Sequence, residues 1–207
     1  MNQNLIVIDT EIANPIASDW LVKKHPKITQ WAKDWNDFEG MGLACACVWD
    51  YRQQRFQVFA DNLPNRYPIA DLADYLKGKT VVAFKGDFDS ALLAANGVKC
   101  TVDYDLLMEI RVAAGLPAEW SPEEKGLAMS YKLDTMAWVN LGHGAWGSGA
   151  DCPIDWQYGK KPQVIAKCIS DVAITRDLFD RRTRLVDPNT GDCLNLPISP
   201  VATIVKF

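Results

Sequence analysis

The hydrophobic pattern begins with a short β-branched run, Leu5-Ile-Val-Ile8, that stops at Asp9-Thr-Glu11, and this predicts a buried strand with an acidic end. Two further apolar runs, 42–49 and 55–59, flank the five residues Asp50-Tyr-Arg-Gln-Gln54. A spacer of that length predicts an antiparallel hairpin. Apolar positions 69, 72, 73 and 76 have helical spacing. Thr80-Val-Val-Ala-Phe84 predicts a strand, 87–95 a helix ending at Asn96-Gly97, and 98–103 a further short strand. From there the spacing is helical, over about 104–114, 121–129, 133–140 and from 163 to about 185.

Three strands in hairpin-like succession, then strand, helix, strand and a run of helices, predict an α/β domain over 1–186. Its mixed sheet has five strands, three antiparallel and two parallel, flanked by helices. Segment 13–40 reads as an insertion between the first two strands. Segment 187–207 reads as a C-terminal extension, with a turn signal at Asp187-Pro-Asn-Thr-Gly191 and a candidate added strand pair.

Composition narrows the function classes. With 207 residues, 48% of them hydrophobic, the chain can bury one sizeable core, which excludes disorder. A formal charge of −4 excludes a module that holds nucleic acid by overall basicity, although a local patch or a metal could still do so. No run of 18 apolar residues exists and the N-terminus has neither a basic start nor an apolar signal core, so a cytoplasmic protein with no membrane partner is expected. The six cysteines include no CxxC pair, and Cys45 and Cys47 sit inside an apolar run. Buried thiols are therefore expected rather than disulfides or zinc. Two histidines, His25 and His143, exclude a His-rich metal site.

The candidate chemistry is carboxylate chemistry. Asp9 and Glu11 lie two apart on a strand, so both side chains leave one face. Two like charges that close favour a cation, and a divalent ion with oxygen ligands would keep both ionised. An isolated Asp-x-Glu is more often a solvated strand end. Asp89 opens a helix just after the strand ending at Phe84, where an acid is favoured by the helix N-terminus alone. In the long C-terminal helix, Val164, Cys168, Val172 and Phe179 mark a buried stripe beside a line of Lys167, Asp171 and Thr175. The bland reading there is a surface Lys–Asp pair, but with the basic residue first it is the less stabilising order.

Together the three segments resemble the motifs of the DEDD-type 3′-to-5′ exonucleases, which have the ribonuclease-H-like fold. Val7-Ile-Asp-Thr-Glu11 is similar to the first motif, Val82-Ala-Phe-Lys-Gly-Asp-Phe-Asp89 to the second and Lys167-Cys-Ile-Ser-Asp-Val-Ala-Ile-Thr175 to the third. The stretch from Leu133 to Gly142, then Trp156-Gln-Tyr-Gly159 and Val164-Ile165, is similar to the lead-in of the third motif, so the resemblance covers about 4–185. It implies that Asp9, Glu11, Asp89 and Asp171 bind two Mg2+ or Mn2+ ions and that the substrate is a single-stranded 3′ end of DNA or RNA; Thr10, Lys85 and Phe88 are the candidate substrate contacts beside them.

Two positions depart from the family pattern. Lys85 stands where the second motif commonly has Asn, and Ala166 and Lys167 stand where the third has His or Tyr. A lysine beside four carboxylates can serve as a base or water-positioning group, contact the phosphate, or replace a metal electrostatically. The last would leave a catalytically degenerate module that binds nucleic acid or a protein partner. A hydrolase of small phosphate esters is a third reading.

Other features carry less. Trp31, Trp35 and Phe38 fall at helical spacing with Trp20 upstream, as packing residues or as stacking groups for bases, and Lys23, Lys24, Lys27 and Lys33 read as a modest basic rim or as a solvated charged face. Gly142-His-Gly-Ala-Trp-Gly-Ser-Gly149 lacks the GK[ST] ending of a phosphate loop and reads as a connecting loop. Within it, His143 is a candidate substitute for the missing Tyr or His. Asp103, Asp105 and Asp134 read as caps or turn residues.

Overall fold

In the computed structural model, which describes residues 4–119 and 129–198, the first apolar run becomes the central strand of the sheet. β1 (Leu5–Ile12) pairs antiparallel with β2 (Leu43–Asp50), which pairs antiparallel with β3 (Arg55–Phe59). On its other side β1 pairs parallel with β4 (Thr80–Ala83), and β4 pairs parallel with β5 (Tyr104–Asp105). The resulting order, β3-β2-β1-β4-β5, makes an α/β protein with a mixed five-stranded sheet of the ribonuclease-H-like kind.

Both faces of the sheet are covered. Ile6 and Ile8 point to one face, where they pack with Val81 and Ala83 of β4 and with Leu93 of the helix α4 (Gly86–Ala95). Leu5 and Val7 point to the other and join a larger core with Val164, Cys168 and Val172 of the long helix α8 (Lys161–Asp180). Alternation along β1 therefore sends Asp9 and Glu11 to the α8 face and Thr10 to the α4 face. β1 also outruns its parallel neighbour: pairing with β4 stops at Val7↔Val82, which leaves the acidic end of β1 uncovered on that side. The remaining α-helices among the described residues are α1 (Asp19–Lys24), α2 (Phe38–Met41), α3 (Leu72–Tyr75), α5 (Leu106–Ala113), α6 (Leu133–Leu141) and α7 (Cys152–Gln157).

Several expectations are corrected. Residues 98–103 form no strand; the parallel pairing falls at β5, because Asp103 accepts from the Val81 N–H and only Tyr104 and Asp105 reach the ladder. Trp31, Trp35 and Phe38 share no helix. The 13–40 segment is built instead from α1, an isolated bridge Ile16↔Ala32 and the short α2, whose Asp37 caps it by accepting from Gly40 N–H. The helix expected over 121–129 lies almost wholly outside the described residues. The last strand pair straddles the expected domain boundary: β6 (Leu185–Val186) pairs with β7 (Cys193–Leu194), and Leu194 and Leu196 are buried in the main core. Cys45, Cys47, Cys152 and Cys168 are buried free thiols, as the sequence suggested. Among the described residues no helix is long and apolar enough to cross a membrane.

Candidate metal centre

The site lies where β1 outruns β4. Asp9 and Glu11 present carboxylates on the α8 face, and α8 brings Asp171 against them, so that one oxygen from each of the three lies within 4.8 Å of the others. The alignment of strand and helix is held by the Cys168 thiol, which donates to the Asp9 carbonyl at 3.3 Å. Gly147, in the loop before α7, lies against the aliphatic part of Lys167, since a Cβ there would stand 3.6 Å from its Cδ.

Asp89 reaches the same strand from the other face. It is 4% exposed, and its Oδ1 accepts from Thr10 Oγ1 at 2.5 Å. The turn that delivers it is tight: Lys85 adopts φ +65°, and at Gly86 a Cβ would meet Val102 Cγ2 at 2.7 Å and Ala83 Cβ at 2.9 Å. Asp105 stabilises this turn by accepting from the N–H groups of Lys85 and Gly86 while capping α5 through Leu107 and Met108. The expectation of a cap at Asp105 is met; Asp134 is no cap but lies in the first turn of α6 and accepts from Ala145 N–H in the loop beyond that helix.

The electrostatics are those of a crowded acidic pocket. Burial, then the neighbouring carboxylates of Asp89, Asp171 and Glu11, pushes Asp9 well above the usual carboxylate range. Burial pushes Glu11 up to about 8 even against the pull of Lys167, and the Cys152 thiol adds a hydrogen bond to it. Asp89 is raised by burial to about 7, with its bonds to Thr10 working the other way. Asp171 is raised by burial against the opposing Lys167 charge. The Lys167 Nζ is ion-paired with Asp171 Oδ2, and both groups are largely buried. Burial would lower the Lys167 pKa, but Asp171, Glu11 and Asp9 outweigh it and hold the ammonium above its ordinary value. Lys167 is thus a charged group here, suited to binding an anion or positioning water rather than to taking a proton.

Two buried oxygens in the pocket, Asp9 Oδ2 and Asp171 Oδ1, have no hydrogen-bond partner among the described residues. An unsatisfied buried carboxylate oxygen is costly, and a hard divalent cation with oxygen ligands is the group that would satisfy both at once. The donor set fits Mg2+ or Mn2+: carboxylates only, from rigid elements, with raised pKa values that a cation would reverse.

No protein-family model and no curated protein sequence matches the chain. Among solved structures it is similar to the POL domain of Pol1 from M. smegmatis in complex with DNA primer-template and dNTP, at TM-score 0.38 and 13% identity. The likeness covers 70% of this chain and 23% of that one. The functional reading therefore rests on this chain's own geometry.

The structure brings Asp9, Glu11, Asp171 and Lys167 together, with Asp89 joined to them through Thr10. It does not bring Lys85 to them: the exposed Lys85 lines a separate cavity of about 590 Å3 with Asp105, Arg111 and Lys132. Phe88 packs edge-on against Phe38, ring centroids 5.6 Å apart, and so ties α4 to the 13–40 segment. Thr10 is buried and spends its hydroxyl on Asp89. Sequence reasoning passed over Gly86, Ser170 and Cys152. Gly86 was legible as a glycine between a strand and a helix; Ser170 and Cys152 gave no local signal.

Proposed function

We propose that the protein is a divalent-metal-dependent phosphodiester hydrolase that removes nucleotides from the 3′ ends of single-stranded DNA or RNA, as a relative of the DEDD-type exonucleases. The observation that carries this reading is the convergence of Asp9, Glu11 and Asp171 within 4.8 Å, with two of their buried oxygens unpartnered. Asp9, Glu11 and Asp171 would hold one Mg2+ or Mn2+, and Asp89, whose charge bears on Asp9, would share a second with it. When bound, such ions supply Lewis-acid polarisation of a phosphoryl oxygen and acidify water.

The chain's own groups do the rest. Lys167 presents a fixed positive charge beside Asp171, where a non-bridging phosphate oxygen would arrive, and its ion pair orients the carboxylate meanwhile. Thr10 locks Asp89 in one rotamer, and Cys168 fixes α8 to the strand that carries Asp9. A group held this rigidly meets the substrate with little reorganisation.

One observation favours a second reading. The Lys167 ammonium already neutralises part of the pocket, so a catalytically degenerate binder of nucleic-acid ends is the alternative. The test is a 5′-labelled single strand incubated with Mn2+. Stepwise shortening from the 3′ end, lost in Asp171→Ala, supports the hydrolase. Undiminished binding with no shortening selects the degenerate reading.

A further inference from the structure

A cavity of about 730 Å3 opens from the metal centre, because Lys167 and Asp171 form one of its walls. Its volume falls within the range of small-ligand sites. The opposite wall is α6, which contributes Trp138, and the floor is the glycine-rich loop between α6 and α7. That loop is fastened at both sides: Ala145 N–H donates to Asp134 at 2.9 Å, and Trp146 N–H donates to Ser170 on α8 at 3.1 Å. Gly144 lets the loop approach α6 closely, since a Cβ there would press on Asp134 Oδ1 and the Trp138 ring nitrogen. The loop is thus a built wall that lies against one edge of the indole.

Trp138 is 59% exposed on a protein whose core has no need of it, and Lys132, at the start of α6, lines this cavity and the neighbouring one that holds Lys85. A large aromatic surface, cations on either side at Lys132 and Lys167, and continuity with the carboxylates form a sequence of features that matches one chemistry. An unpaired base has a π-face and its flanking phosphates carry the negative charge.

We infer that this cavity is the seat of an unpaired nucleobase next to the scissile bond, stacked on Trp138, with Lys132 contacting a backbone phosphate farther along the strand. The inference rests on the proposed nucleic-acid reading and adds to it the side chains that would hold the strand beside the carboxylates, Trp138 for a base and Lys132 for a phosphate.

The test measures binding without hydrolysis. A fluorescein-labelled single strand is titrated by anisotropy into the Asp9→Asn variant, with and without Trp138→Ala, Trp138→Tyr or Lys132→Ala added. Trp138→Ala weakens binding about tenfold, Trp138→Tyr recovers most of it, and Lys132→Ala lessens the salt dependence. A strand made abasic at its 3′-terminal nucleotides loses affinity for the parent by the same factor and loses none for the Trp138→Ala form. Equal affinity of Trp138→Ala and parent, with unchanged thermal melting, overturns the inference, as does equal binding of abasic and normal strands. Stacking-dependent binding by a wild-type protein that never shortens the strand would sink the hydrolase reading alone. Shortening that ignores the abasic change would sink this inference alone.

Discussion

One cation, Lys167, stands among several acids in the pocket. Lys167 holds Asp171 Oδ2 and leaves Asp171 Oδ1 and Asp9 Oδ2 open. Removing the ammonium in Lys167→Met takes a positive charge away from the proposed ion, so Mn2+ affinity measured by calorimetry should rise at least about tenfold. The metal-free variant should lose roughly 1–3 kcal/mol in urea unfolding at neutral pH, less than the usual cost of breaking a buried pair because Asp171 can take up a proton. The raised carboxyls set the pH dependence. With Glu11 near 8 and Asp89 near 7, the folded protein keeps protons that the unfolded chain releases near the ordinary carboxylate value. Stability from these groups is full below that ordinary value and is lost as pH rises through about 7 to 8. Metal-free melting temperature should therefore fall from pH 5 to pH 8.5, and saturating Mn2+ should flatten the decline. A melting temperature that rises with pH in chelator would contradict the raised carboxyls. The pair Asp9 and Glu11 was legible in the sequence because strand alternation fixes their common face. The role of Lys167 was not, since the sign of its pKa shift depends on which charges surround it in space.

At the element scale the β4–α4 turn decides where Asp89 goes. Lys85 sits in the left-handed region and Gly86 has no room for a side chain. Gly86→Ala should shift the turn against Val102 and cost about 1–3 kcal/mol in denaturant unfolding. Lys85→Gly removes the strain of a side chain at positive φ but loosens the unfolded chain, so it should change stability by no more than about 1 kcal/mol. A large loss from Lys85→Gly would show that the lysine side chain, and not the turn geometry, matters there. The long elements were readable because their patterns are sustained: α8 carries Val164, Cys168 and Val172 on one stripe, and β1 and β2 are unbroken runs of mostly buried residues. The short ones were not. β5 has two residues, and its place in the sheet is set by what β4 offers rather than by its own pattern. Trp31 and Trp35 imitate a helical repeat within a segment whose backbone is instead organised by the bridge Ile16↔Ala32, and Trp31 donates to Ile28 O.

At the scale of the whole molecule, the sheet order places the uncovered end of β1 between two helices that approach from opposite faces, α8 with Asp171 and α4 with Asp89. The order of the three acidic segments along the chain was visible beforehand; their depth of burial was not, because it follows from helices packed on both faces of the sheet, nor was the cavity beside α6, which depends on a loop fastened to Ser170 and Asp134. The central claim is that these carboxylates form a divalent-cation site. It is tested most directly by titrating Mn2+ into the protein and counting free Mn2+ by electron paramagnetic resonance. Wild type should sequester the ion with a signal loss that Mg2+ reverses by competition, and Asp9→Ala should leave the free signal nearly unchanged. Equal sequestration by wild type and Asp9→Ala, or none by wild type, would contradict the account.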